Sequence, residues 1–155
     1  MTLLADVRSI PRSRRVPQFN TEILPHSLAA AGIEYRWLSA LGGRRHRAKG
    51  APPSTNALWR VAAFRNYADY AQTAAFRAGL DELLALASAQ RCAIMCAEAV
   101  WWRCHRRIVT DYLLTRNVRV EHIMGAGRLT PGTMTPGAIP SSDETIDYPA
   151  ASEIA

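Results

Sequence analysis

Apolar and polar positions follow two rhythms along this chain, one short and one of helical period. Thr2 to Val7 is a brief apolar run with leucine and β-branched content, which predicts a strand ending at Asp6 and Arg8. Pro11, Arg12, Ser13, Arg14, Arg15 and Pro17 then break regular structure and leave their arginines on a loop at that strand's C-terminal end. Asn20 or Thr21 is the expected cap of a helix running to about Ala31, with Pro25 near its first turn and Gly32 as its stop. Ile33 to Leu38 reads as a second strand, and Gly42 to Trp59, with its glycines, prolines and basic run, as a long loop. Phe64 to Thr73 and Ala74 to Ala89 read as helices. In the second, Phe76, Leu80, Leu83, Leu84 and Ala87 fall on one face at spacings of three and four.

Arg91 to Cys96 has the pattern of another strand, followed by a turn through Glu98 and a helix from about Trp101 to Arg116. Ile108, Tyr112 and either Val109 or Leu113 form the buried stripe of that helix. Val118 to Met124 is the last predicted strand. From Gly125 onward, glycine, proline, serine and threonine predict an irregular tail over residues 125–155, which leaves 1–124 as a single α/β domain. Strands alternating with helices imply a mostly parallel sheet with helices on both faces, a Rossmann-like three-layer arrangement. Ligands of such sheets bind at the C-terminal strand ends, where the Asp6 to Arg14 loop and the Cys96 to Cys104 turn are both expected.

Composition sharpens this outline. A chain of 155 residues with 48% hydrophobic content can bury one sizeable core and is short for two ordinary domains. Its formal charge of +6 comes from 19 basic residues, of which Lys49 is the sole lysine. The planar guanidinium fork matches phosphate and carboxylate edges, so the bias favours an anionic partner, though charge by itself argues about association and not fold. Cys92, Cys96 and Cys104 are odd in number and close together, unlike a disulfide framework. No window approaches the roughly 18 apolar residues of a membrane helix, and the N-terminus has no signal-peptide pattern. The expectation is a cytoplasmic protein with reduced thiols and no membrane partner.

The candidate chemistry lies between Cys96 and Arg106. Cys96 closes a predicted strand, and a helix is expected to open near Cys104 with its unpaired N–H groups facing the turn. A thiolate is stabilised by such a terminus and by Arg103, Arg106 and a charged His105. Glu98 opposes the thiolate, which suits it better to a proton-transfer role or to orienting His105. The plainer alternative is that free cysteines are core residues, as Cys92 is expected to be, and that His105 is a cap. Cys96, Cys104 and His105 as metal ligands form a third alternative. Their eight-residue separation matches no recognised finger or ribbon, and a tetrahedral site would need further ligands, so no metal is assigned. Cys96 to Arg103 is also a poor phosphate-binding cysteine loop, because Val100, Trp101 and Trp102 are bulky where such loops want glycine. Trp101 and Trp102 suit base stacking less well than a hydrophobic staple.

Several separated motifs occur in order: Asp6-Val7-Arg8-Ser9-Ile10-Pro11-Arg12-Ser13-Arg14, Pro17-Gln18-Phe19-Asn20, Tyr35 with Leu41-Gly42-Gly43, Phe64 to Tyr70, Cys96-Ala97-Glu98 and Cys104-His105-Arg106. Together they resemble the bacterial family catalogued as domain of unknown function 488, from the first strand to about Leu129. The resemblance carries no activity and no cofactor with it. It implies that Asp6, Arg8, Pro11, Ser13, Arg14, Asn20, Tyr35, Gly42, Gly43, Tyr67, Cys96, Glu98, Cys104, His105 and Arg106 occupy hallmark positions. It also implies two departures: members begin with an additional strand and helix that this chain lacks ahead of Asp6, and they often carry a histidine where Gly132 stands.

The leading expectation is an enzyme or ligand-binding protein for an anionic substrate, such as a phosphate-bearing small molecule, a nucleotide or a nucleic acid. Cys96 supplies the nucleophilic or redox-active thiol, Glu98 and His105 transfer protons, and Cys104 is grouped with them as a catalytic candidate. Asp6, Arg8, Arg12, Ser13, Arg14, Asn20, Tyr35, Tyr67 and Arg106 line the substrate site. The competing class is a non-catalytic nucleic-acid-binding module whose Arg44 to Lys49 loop tracks a backbone.

Overall fold

The computed structural model describes residues 1–150 and shows a mixed α/β fold. It divides into two compact units, Met1–Gly43 with Ala74–Ala97, and Arg44–Thr73 with Glu98–Ala155. The last five residues of the expected tail lie outside the described residues.

The first unit is built on three parallel strands: β1 (Leu3–Asp6), β2 (Glu34–Trp37) and β3 (Cys92–Met95), with β1 in the middle. The register sets Leu3 beside Glu34 and Cys92, and Asp6 beside Trp37 and Met95. Leu3, Ala5 and Val7 are fully buried, as expected of a parallel strand paired on both edges. Helix α1 (Leu24–Ala30) follows Pro25 into its first turn and stops before Gly32, whose φ of +69° is one that glycine adopts without cost. Asn20 does not cap it through its side chain: the Asn20 carbonyl accepts from Ile23 N and Leu24 N, while Oδ1 turns to the amide of Ser13. Helix α3 (Ala74–Ala89) buries Phe76, Leu80 and Leu83 as the periodicity requires. Gly79 allows close approach to the Ser39–Leu41 turn, where a Cβ at position 79 would come within 2.7 Å of Ala40 Cβ.

Cys96 therefore follows an edge strand of this sheet, with β1 as the central one. In place of the expected Rossmann-like three-layer sheet, the parallel sheet among the described residues has three strands, and the other strands pair antiparallel. The region expected to supply another parallel strand does something different.

In the second unit, helix α2 (Ala62–Ala71) and helix α4 (Arg106–Leu114) carry the buried Tyr67, Ala68, Ile108, Val109 and Tyr112. The helix expected from Trp101 begins later. Trp101–Arg103 is a 3-10 turn and Cys104 is extended at φ −131°, ψ 150°, so regular helix starts only after His105. It closes through Asn117, whose φ of 58° is in the left-handed region that asparagine tolerates.

The expected strand at Val118 to Met124 is β4 (Glu121–Gly125), and it pairs antiparallel with β5 (Arg128–Pro131) instead of joining the parallel sheet. The physical reason is the short Gly125-Ala126-Gly127 connection. A tight turn can only reverse the chain, whereas a parallel partner needs a crossover. The following segment is not irregular throughout either: β6 (Ile139–Pro140) and β7 (Ile146–Asp147) form another antiparallel pair. Ile146 and Tyr148 are fully buried and anchored to this unit, with Tyr148 N donating to Asn56 Oδ1 and Leu58 N to the Tyr148 carbonyl. Full burial of a side chain the size of Ile146 is worth about 1.5–3 kcal/mol, enough to hold a segment that composition alone marks as loose. No helix among the described residues is long and apolar enough to cross a membrane.

Candidate functional site

The chemistry-bearing residues fall into two groups, one in each unit. In the first, β1 delivers Asp6 at its C-terminal end, fully buried, and Arg8 two residues on, 8% exposed. The Asp6 carboxylate accepts from Arg8 N at 3.0 Å, from Arg8 Nε at 2.9 and 3.0 Å, from Arg8 Nη2 at 2.5 Å and from the Tyr35 hydroxyl at 2.7 Å. Arg8 also donates to the Phe19 carbonyl, and Trp37 Nε1 donates to the Arg8 carbonyl. The bond to Asp6 raises the Arg8 pKa. Burial, then the hydrogen bond to Asp6, raise that of Tyr35, so its phenol stays protonated. This is a closed, charge-compensated cluster that joins β1, β2 and the loop after β1.

The loop is fastened in the same way. Ser13 N donates to Asn20 Oδ1 and Arg12 pairs with Glu22, while Arg14 is exposed. Cys96 is half-buried just after β3. Cys92 is half-buried too, and its thiol pKa is pushed up by that burial, as suits a core cysteine. None of the three cysteines is in a disulfide.

In the second unit, the step into α4 brings Cys104, His105 and Arg106 together. The Cys104 sulfur is buried, accepts from Arg106 Nε at 3.3 Å and lies 3.5 Å from His105 Nδ1. The His105 ring packs against Tyr67 of α2 at 4.8 Å between centroids. Arg106 Nη2 donates to the backbone carbonyl of Glu98, so Glu98 enters through its main chain, and its side chain is exposed. Cys104 Sγ and His105 Nδ1 are donors of the kind zinc takes.

Two further residues belong to this group and were not singled out by sequence. His122 on β4 stacks face to face on Trp101, with centroids 3.9 Å apart and planes at 3°, and its buried Nε2 has no hydrogen-bond partner among the described residues. Burial, and then the nearby Arg106, lower its pKa, so the ring is neutral. Asp111 on α4 is fully buried and accepts from Thr135 N and the Tyr148 hydroxyl, both at 2.8 Å. Burial raises its pKa against the hydrogen bonds and Arg107, which lower it. The available signals were a histidine on the inward beat of β4, between exposed Glu121 and Ile123, and an aspartate in the apolar stripe of α4.

A mixed α/β chain with an arginine-bearing first strand end and a Cys-His-Arg helix start is thus on hand. It belongs to the family described as Domain of unknown function DUF488, whose family model matches residues 1–113. The match takes in every candidate residue from Asp6 to Arg106 and ends within α4, short of the Leu129 expected from the motifs. No curated protein and no solved structure matches the chain.

Proposed function

We propose that the chain acts on a small anionic substrate at the start of α4, with Cys104 as the reactive thiol, Arg106 as the anion-recognising group and His105 as the proton acceptor. The observation that carries this reading is the Cys104 sulfur set between Arg106 Nε and His105 Nδ1 at 3.3 and 3.5 Å. A thiolate in that position is stabilised by the guanidinium and by the positive dipole end of the nine-residue α4. Its reaction is nucleophilic attack on an electrophilic centre of the substrate. The thiol proton passes to His105, a bond forms to sulfur, and the bond to the leaving group breaks with its electron pair. Neutral His122, with its unpartnered Nε2, is a second proton acceptor for the same region.

Within this reading the first unit has a supporting part. Arg8 is held by Asp6 and Tyr35, so the cluster shapes the loop after β1 and leaves recognition of the substrate to other arginines. Site-resolved alkylation tests the proposal. Cys104 should prefer the anionic reagent iodoacetate over neutral iodoacetamide, relative to Cys92 in the same sample. Arg106→Ala should lower that preference about fivefold, the worth of roughly 1 kcal/mol of charge attraction in a wet site. A Cys104 that shows the same preference as Cys92, or a preference unmoved by Arg106→Ala, would remove the anion site from the account.

A further inference from the structure

A second feature of the second unit lies apart from Cys104 in its residues and in its chemistry. The segment from Arg44 to Thr73 carries Arg44, Arg45, Arg47, Lys49, Arg60 and Arg65 against a single carboxylate, Asp69. Its loop folds over α2 to leave a cleft of about 560 Å³, lined among others by Arg45, Arg47, Ser54, Asn66, Tyr70 and Gln72. Volumes of that order accept small organic ligands, and the space is several times what an inorganic ion fills.

The cationic wall is positioned. The Arg45 guanidinium lies over the Tyr70 ring at 3.7 Å, and the Arg45 carbonyl accepts from Asn66 Nδ2, which ties the loop to α2 at two points. Arg47 Nη2 donates to the Ala51 carbonyl at 3.3 Å across the same loop. Asp69 also lines the cleft, where its Oδ1 accepts from the Ser54 hydroxyl and from Asn56 Nδ2 at 2.8 Å, and its one negative charge is outnumbered by the Arg45 and Arg47 guanidinium groups. An excess of fixed positive charge therefore faces a concave space bordered by Pro52, Pro53 and the Tyr70 ring. A guanidinium fork takes two oxygens of a phosphoryl group at once, and its stacking on Tyr70 holds the fork in plane before any ligand arrives.

We propose that this cleft binds a phosphorylated small molecule of nucleotide size, with Arg45 and Arg47 on the phosphoryl group and the Tyr70 and proline surface against the remainder. The site is independent of the thiol reading. Cys104, His105 and Arg106 do not line it, and it stands or falls without them.

Calorimetric titration of the full chain with inorganic phosphate and with adenosine monophosphate tests the proposal, in wild type and in Arg106→Ala. Using Arg106→Ala removes any binding at the start of α4, so the heat that remains belongs to the cleft. The expected result is saturable binding of both probes in Arg106→Ala, tighter for the monophosphate. Arg45→Lys and Arg47→Gln in that background should each weaken it about tenfold, because lysine keeps the charge but loses the fork. Arg47 is exposed, so Arg47→Gln remains informative even where Arg45→Lys disturbs the loop, and unliganded melting temperatures confirm that each variant is folded. Absence of binding in Arg106→Ala, or affinity unchanged by both substitutions, overturns the proposal. So does an oligonucleotide that binds with steep salt dependence and is not displaced by the monophosphate, which would make the loop a backbone-tracking surface.

Discussion

Replacing Tyr35 by phenylalanine keeps the ring and removes one hydroxyl, so its effect isolates a single bond to the buried Asp6 carboxylate. That bond is 2.7 Å long and ends on an acceptor with no exposure at all. Hydrogen bonds to charged groups are worth about 1.5–3 kcal/mol, which sets the expected cost of Tyr35→Phe in the wild-type background. Asp6→Ala should cost about 3–5 kcal/mol, because it strands the Arg8 guanidinium at 8% exposure without its counter-charge. With Asp6 gone, the Tyr35 hydroxyl has lost its acceptor, so Tyr35→Phe should then cost little, and the coupling in a double-mutant cycle should approach the whole single-site effect. Hydrogen exchange of the Leu3 to Val7 amides under graded urea is the suitable assay, since it reports the first unit by itself in a chain of two units. A Tyr35→Phe cost below about 0.5 kcal/mol, the size of an ordinary surface change, or one equal in the two backgrounds, would show that the cluster is not the cooperative lock described.

Three further outcomes follow from the structure. Asp111 has a folded pKa raised above its unfolded value, so its contribution to stability is fully present below the unfolded pKa, near 3.9, and is lost as pH rises through the folded one. The urea midpoint of wild type relative to Asp111→Asn should therefore fall as pH is raised from 3.5 to 7 (a range chosen to span about these values), and a rise would contradict the burial effect. Gly132→His should destabilise the second unit by about 1–3 kcal/mol, since a Cβ there already meets Thr110 Cγ2 and Val120 Cβ at 3.1 Å; an unchanged melting temperature would show that the site yields freely. Arg14→Ala should stay within about 0.5 kcal/mol of wild type, as an exposed side chain outside the Asp6 cluster, and a larger loss in thermal melts would assign it a partner in the fold.

How much of this was legible in sequence depends on how local each determinant is. The strand at Leu3–Asp6 and the helix at Ala74–Ala89 announce themselves through apolar runs and a helical stripe, and both formed where the pattern puts them. The order of the strands did not, because edge and centre are set by which strands pair, and Cys96 proved to follow an edge strand. The hairpin after β4 was encoded in Gly125-Ala126-Gly127, but a composition rich in glycine and proline describes tight turns and loose tails equally well. Tyr148 and Ile146 are buried through contacts with Asn56, Leu58 and Tyr112, far away in sequence, which no local window contains. At the site, the family motifs drew attention to Cys104, His105 and Arg106, while the break at Cys104 that delays α4 had no apolar period to reveal it. His122 was hidden because one inward histidine on a short strand looks the same in sequence as one facing solvent.

Protection of the Cys104 thiol by an anion tests the central claim most directly. Alkylation of the intact chain by iodoacetamide, followed at Cys104 in phosphate and in chloride of equal ionic strength, should be slowed by phosphate in wild type, in Arg14→Ala and in Arg47→Gln, and should lose that protection in Arg106→Ala. Protection that persists in Arg106→Ala, or that phosphate fails to give in wild type, would contradict an anion site at the start of α4.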